Sequence, residues 1–234
     1  MDLVCKLPTT RDLKKNKNYV NNIELRVTCF SFDSKRNVLY TCYSNSMIRS
    51  WKIDCSNNST EYKITLINET FYKKCSIFDC VLMNDYLVLG TSEGILVSYR
   101  IEGDMLELKD CLKIHQNGIM SVENIKDDFL VTGGDDNAIS LTKLDSSTGI
   151  FEKTCKAENA ANSAISNVMK MTDDTFIFTS IDQLIGTYRI DFSKNELNRQ
   201  KKFFTNIADT QSIDISGDLI LIGGLGLSIY KGLI

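Results

Sequence analysis

The stretch "TFIFTSIDQLIGTYRID", Thr175–Asp191, sets two runs rich in Phe, Ile, Thr and Tyr on either side of a polar turn, the pattern of a β-hairpin. The layout recurs four more times. The other copies end "YTCYSNSMIRSWKID", "VLGTSEGILVSYRIE", "VTGGDDNAISLTKLD" and "LIGGLGLSIYKG". The place of Tyr188 is taken in them by Trp51, Tyr99, Thr142 and Tyr230, so the intervals along the chain are 48, 43, 46 and 42 residues.

A period of about 40 to 45 residues, with four short strands to a unit, is that of a β-propeller blade. Alternating strands, short polar connections such as "MNDY", "KDDF" and "TDDT", and no long run of period 3.6 predict an all-β chain. Five blades are expected, at about 23–55, 63–102, 106–145, 150–192 and 196–234, behind a basic segment at 1–22. Thr175–Asp191 would be the outer half of its blade. A closed ring commonly takes about seven blades. Five therefore predict an incomplete ring, completed by another chain or left as a truncated product with an exposed edge.

With 234 residues, 43% of them hydrophobic, the chain is long enough for a substantial core. Its net charge of −3 provides no overall field toward nucleic acid or an anionic membrane. The longest apolar run, "LILIGGLGLSIY", is broken by glycines and too short to span a bilayer, so a cytoplasmic protein without membrane insertion is expected. The cysteines, at positions 5, 29, 42, 55, 75, 80, 111 and 155, form no C-x-x-C pair, and there is one histidine. Neither a metal nor a cofactor site of ordinary spacing follows. Reduced, buried thiols are the expectation.

The turn between the second and third strands of a unit carries Asn45, Glu93, Asp136 or Asp182, always six residues before the closing position. A carboxylate or amide there holds the turn by accepting backbone N–H groups. His115 precedes the third unit by the spacing that lets it reach Asp136. The unit His115–Leu141, "HQNGIMSVENIKDDFLVTGGDDNAISL", resembles the WD-repeat family, in which a histidine at this place bonds the turn aspartate. Trp51, His115, Asp136 and Asp182 are then structural blade residues. The alternative for His115 is a general base. No P-loop, no dinucleotide loop and no H-E-x-x-H occurs, so no catalytic residue is expected.

The order of motifs in the last units narrows the resemblance. "SIDQ" at 180–183, "IAD" at 207–209 and the closing "GGLGLSIY" at 223–230 resemble the C-terminal propeller region of the WD repeat-containing protein 6 family, as does "KKCSIFDCVLMND" at 73–85. The resemblance implies a non-catalytic partner of an FtsJ-type 2'-O-ribose methyltransferase acting on the tRNA wobble nucleotide. It further implies that S-adenosylmethionine is bound by the partner, and a link to endosomal recycling. Arg11, Lys14, Lys15 and Lys17, and Arg199, Lys201 and Lys202 beside Phe203, are candidate contacts to tRNA phosphate or to the partner. A scaffold of another complex and a WD-repeat diphthine methylesterase are the alternatives.

Overall fold

The computed structural model describes residues 26–55 and 62–232, and the basic residues Arg11, Lys14, Lys15 and Lys17 lie outside them. Among the described residues, nineteen strands form five antiparallel sheets. The first holds β1 (Val27–Asp33), β2 (Val38–Tyr43), β3 (Met47–Cys55) and β4 (Tyr62–Phe71). The second holds β5 (Ile77–Met83), β6 (Tyr86–Thr91), β7 (Ile95–Glu102) and β8 (Met105–Lys113). The third holds β9 (Ile119–Lys126), β10 (Phe129–Gly134), β11 (Ile139–Leu144) and β12 (Phe151–Ala157). The fourth holds β13 (Ile165–Lys170), β14 (Thr175–Ser180), β15 (Leu184–Asp191) and β16 (Glu196–Phe204). The fifth has three strands, β17 (Ser212–Ser216), β18 (Leu219–Gly224) and β19 (Gly226–Lys231).

The first strands β1, β5, β9, β13 and β17 pack on one another in sequence order, so each sheet is a blade and these strands lie innermost. The hairpin Thr175–Asp191 is β14 and β15, the middle pair of its blade; β16 is the outer strand, which corrects the expected outer half. Repeat unit and sheet are offset by one strand. The unit at 63–102 begins on β4 of the first sheet and continues through the first three strands of the second.

Period-two alternation sends neighbouring side chains to opposite faces of a blade, and each face packs on the next blade. On β6, Leu87 and Leu89 turn toward the first blade with Val38, Tyr40 and Ile48, whereas Tyr86 and Val88 turn toward the third with Ile119 and Leu130. Phe176 and Ile165 meet Ile139 and Leu141 between the third and fourth blades, and Ile177 and Ile185 meet Ile213, Ile220 and Ile222 between the fourth and fifth. The faces at the two ends of this series stay partly open. Phe30, 68% exposed, and Phe32 point away from the second blade on β1, and Leu227, 65% exposed, and Ile229 point away from the fourth on β19.

Turn chemistry closes the hairpins. The residue after each turn acid or amide adopts a left-handed backbone: Ser46, Gly94, Asn137 and Gln183 have φ of 64°, 72°, 62° and 71°. At Gly94 a Cβ would also lie 2.2 Å from the Asn117 carbonyl oxygen, so glycine is required there on two counts. Among the described residues no helix is long and apolar enough to cross a membrane.

Candidate functional site

His115 lies in the loop before β9 and is 1% exposed. Its Nδ1 is 2.7 Å from Asp136 Oδ1, and its Nε2 is 2.9 Å from Thr132 Oγ1 on β10. The carboxylate only accepts, so Nδ1 carries the proton and Nε2 accepts from the threonine hydroxyl. Asp136 Oδ2 accepts from the backbone N–H of Gln116 at 2.9 Å and from Lys156 Nζ on the outer strand β12 at 2.8 Å. One carboxylate thus ties the entry loop, the turn and the edge of the blade together. Burial opposes its charge, but the Lys156 ammonium, the Gln116 N–H and His115 outweigh that and hold it down at about 2. Burial pushes the His115 imidazole below its ordinary value, and Asp136 opposes the shift without cancelling it.

Asp182 repeats part of this arrangement in the fourth blade. Its Oδ2 accepts from the N–H of Asn162, twenty residues upstream as Gln116 is from Asp136, and its Oδ1 accepts from Leu184 N–H. In the first blade Asn45 Oδ1 accepts from Met47 N–H at 3.2 Å. There Trp51, fully buried, donates its Nε1–H to Thr41 Oγ1 at 2.8 Å.

Thr41 in the first blade and Thr132 in the third stand ten residues before the closing position. The third blade therefore has the aspartate, histidine and threonine but Thr142 in place of tryptophan; the first has the threonine and tryptophan without the histidine. Thr142 Oγ1 is buried with no hydrogen-bond partner among the described residues. The fourth blade has Phe178 and Tyr188 at the same two places, with ring centroids 5.8 Å apart, so an aromatic contact stands where the hydrogen bond would be.

Of the basic candidates, Arg199 is committed within its own blade. Its Nε and Nη2 donate to Tyr188 Oη at 3.0 and 2.8 Å, and Nη2 also donates to the Ala160 carbonyl at 2.7 Å. Lys201 and Lys202 are exposed on the edge strand β16, and Lys202 Nζ sits 5.8 Å from the Phe204 ring centroid. Phe203 packs on Tyr230, so the exposed aromatic beside the lysines is Phe204.

Strand direction puts the turns after second strands and the loops between blades on one rim of the propeller. On that rim an open groove of about 670 Å³ lies where the second and third blades meet, lined by Phe78, Glu93, Lys113, Gln116, Asn117 and Asp135 among others. Lys113 Nζ donates to the backbone carbonyls of Glu93 and Gln116, so the groove carries an aromatic face, one tethered ammonium and two carboxylates. Sequence spacing gave no signal for this groove, because its residues come from two repeats.

A second grouping was also invisible to spacing. The Sγ atoms of Cys29, Cys42 and Cys80 lie within 4.8 Å of one another between the first two blades. All three are free thiols; Cys42 and Cys80 are buried and Cys29 is half-buried. Hydrogen bonds from Cys42 and then Cys80 hold the Cys29 thiol down at about 5, while Cys42 and Cys80 themselves are pushed up.

No family model matches the chain, and no curated protein matches it in sequence. Solved structures do match in shape. Sqt1 of Saccharomyces cerevisiae superposes with a TM-score of 0.70 at 11% identity, over 88% of this chain and 59% of its own. Sqt1 of Chaetomium thermophilum, bound to the N-terminus of the ribosomal protein L10, gives a TM-score of 0.73 at 10% identity, over 91% of this chain and 60% of its own. The WD40 β-propeller domain of Doa1 gives 0.63 at 11% identity, over 88% of this chain and 68% of its own. This chain thus spans about three fifths of the length of the Sqt1 chains. Five successive four- or three-stranded blades and these superpositions make the fold that of a WD40-type β-propeller.

Proposed function

We propose that this protein is a cytoplasmic, non-catalytic propeller adaptor that binds an FtsJ-type methyltransferase and supports 2'-O-methylation of the tRNA wobble nucleotide. The observation that supports an adaptor is the state of its single histidine. Both ring nitrogens of His115 are engaged inside the blade, so no imidazole lone pair faces a substrate. The choice of partner rests on the motif order at 180–183, 207–209 and 223–230. S-adenosylmethionine would be held by the enzyme.

The groove around Phe78, Glu93 and Asp135 is the docking site this reading assigns to the enzyme, with a basic, partly apolar segment as the complementary surface. That a chain of this fold can bind a partner's terminal segment has a parallel in Sqt1 of Chaetomium thermophilum, whose crystal structure holds the N-terminus of the ribosomal protein L10. Lys201 and Lys202 on the outer edge would meet tRNA phosphate.

The test is affinity purification of the tagged protein from its own cells, with wobble 2'-O-methylation measured in a deletion strain. The enzyme is expected in the eluate, with recovery reduced by Glu93→Lys and Asp135→Lys, and methylation is expected to be lost on deletion. Methylation retained in the deletion strain overturns the reading. A different protein captured through the same groove would make the chain a scaffold of another complex.

A further inference from the structure

The blade repeat supplies an internal control for the cysteine cluster. Aligned on the closing residues, Cys29, Asp79, Ser121 and Asn167 occupy one place on successive inner strands. Cys42, Gly90, Gly133 and Thr179 oppose them on the second strands. Cys80, Val122 and Val168 occupy the place on the next blade that each pair faces.

At the next two interfaces these places have plain structural duties. Asp79 Oδ2 accepts from Val122 N–H at 2.7 Å, and Ser121 Oγ accepts from Val168 N–H at 3.2 Å, so an oxygen of one blade takes a backbone N–H of the next. The opposing glycines allow close approach. A Cβ on Gly90 would lie 2.8 Å from Ile119 Cγ2, and one on Gly133 would lie 2.5 Å from Ile165 Cγ2. Between the first and second blades, all three places hold cysteine and the sulfurs converge. Packing needs no such substitution, since oxygen, glycine and valine satisfy it one blade further on.

We propose that Cys29, Cys42 and Cys80 form a three-sulfur site for one thiophilic d10 cation, zinc(II) or copper(I), held between the first two blades. Three thiolates around zinc at about 2.3 Å stand roughly 4 Å apart, which the observed grouping accommodates without moving a strand. A water molecule would take the fourth position. Any proton still on a ligating thiol is released to solvent on binding. The complex keeps a net charge of −1 with zinc(II) and −2 with copper(I). Burial between two blades disfavours uncompensated charge, which makes the smaller residual charge preferable, so zinc(II) is the expected occupant. Bound there, the ion would staple β1 and β2 to β5.

The test uses the full chain, reduced and metal-free, titrated without oxygen with cobalt(II) as the probe for zinc and separately with copper(I). One equivalent of cobalt is expected to produce a sulfur-to-metal charge-transfer band that zinc removes. Cys42→Ser and Cys80→Ser should weaken binding by more than about a hundredfold, and Cys111→Ser, at an exposed thiol elsewhere, should leave it unchanged. Because the buried variants risk misfolding, Cys29→Ser and zinc protection of the three wild-type thiols from alkylation, read by peptide mapping, give the same information in a folded chain. A band with copper(I) alone assigns the site to copper. No band and no protection with either ion, or a band that survives Cys29→Ser and Cys80→Ser, overturns the proposal.

Discussion

His115 Nδ1 and Asp136 Oδ1 are 2.7 Å apart in the third blade, and the carboxylate of that pair is also bound by Lys156 and the Gln116 N–H. The blade is thereby pinned from its entry loop to its outer strand by groups that must keep one protonation state: imidazole neutral, carboxylate ionised.

That requirement sets a pH dependence. A depressed imidazole means the unfolded chain takes up a proton first, so stability is full above the ordinary histidine value of about 6.5 and declines as pH falls below it. Asp136, at about 2 in the fold against an ordinary 3.8, contributes stability above pH 4 that is lost as pH falls toward 2. Since the chain has one histidine, its imidazole NMR signal is unambiguous and should titrate below 6.5. The stability lost on replacing His115 by Asn should therefore shrink between pH 7 and 5 when the two proteins are compared by chemical denaturation at each pH. A signal titrating at or above 6.5 would contradict the burial argument.

Gly134 faces the same pair. A Cβ there would lie 2.2 Å from His115 Nδ1 and 2.3 Å from Asp136 Oδ1, closer than real Cβ atoms approach anything. Gly134→Ala must therefore push the ring and carboxylate apart, at an expected cost of about 2 to 3 kcal/mol. Urea unfolding of the variant measures it, and a loss below about 0.5 kcal/mol would show that the pair is loosely held.

Thr132 and Thr142 should respond oppositely to the same change. Thr132→Val removes the hydroxyl that serves His115 Nε2 and is expected to cost about 1 to 3 kcal/mol. Thr142→Val removes a buried hydroxyl without a partner among the described residues, so its effect should be neutral or stabilising by about 1 kcal/mol. Melting temperatures of the two variants, compared side by side, decide the matter.

The open face of the fifth blade should govern self-association. Leu227 and Ile229 are exposed side by side with Leu225 at the end of the blade series. Replacing Leu227 and Ile229 by lysine is expected to lower the concentration-dependent light scattering of the purified chain while leaving its unfolding free energy within about 0.5 kcal/mol of wild type. Unchanged scattering would place the sticky surface elsewhere.

The sequence by itself determined the all-β class, the five-fold repeat and the pairing of His115 with Asp136. These are local: strand alternation is read at period two, turn residues declare themselves, and the His–Asp link falls within one repeat. The packing of blades was decided only in three dimensions. Strand alternation tells which residues share a face, but not that Thr175–Asp191 is the middle of its blade and β16 the rim, since that depends on which strand meets the neighbouring sheet. The commitment of Arg199 to Tyr188 and Ala160 was likewise hidden, because a guanidinium on an edge strand reads as solvated until its cross-strand neighbour is known. The groove and the thiol cluster lie between repeats. Cys29, Cys42 and Cys80 are separated by 13 and 38 residues, which no metal-site spacing would join, and only the stacking of one blade on the next brings their sulfurs together.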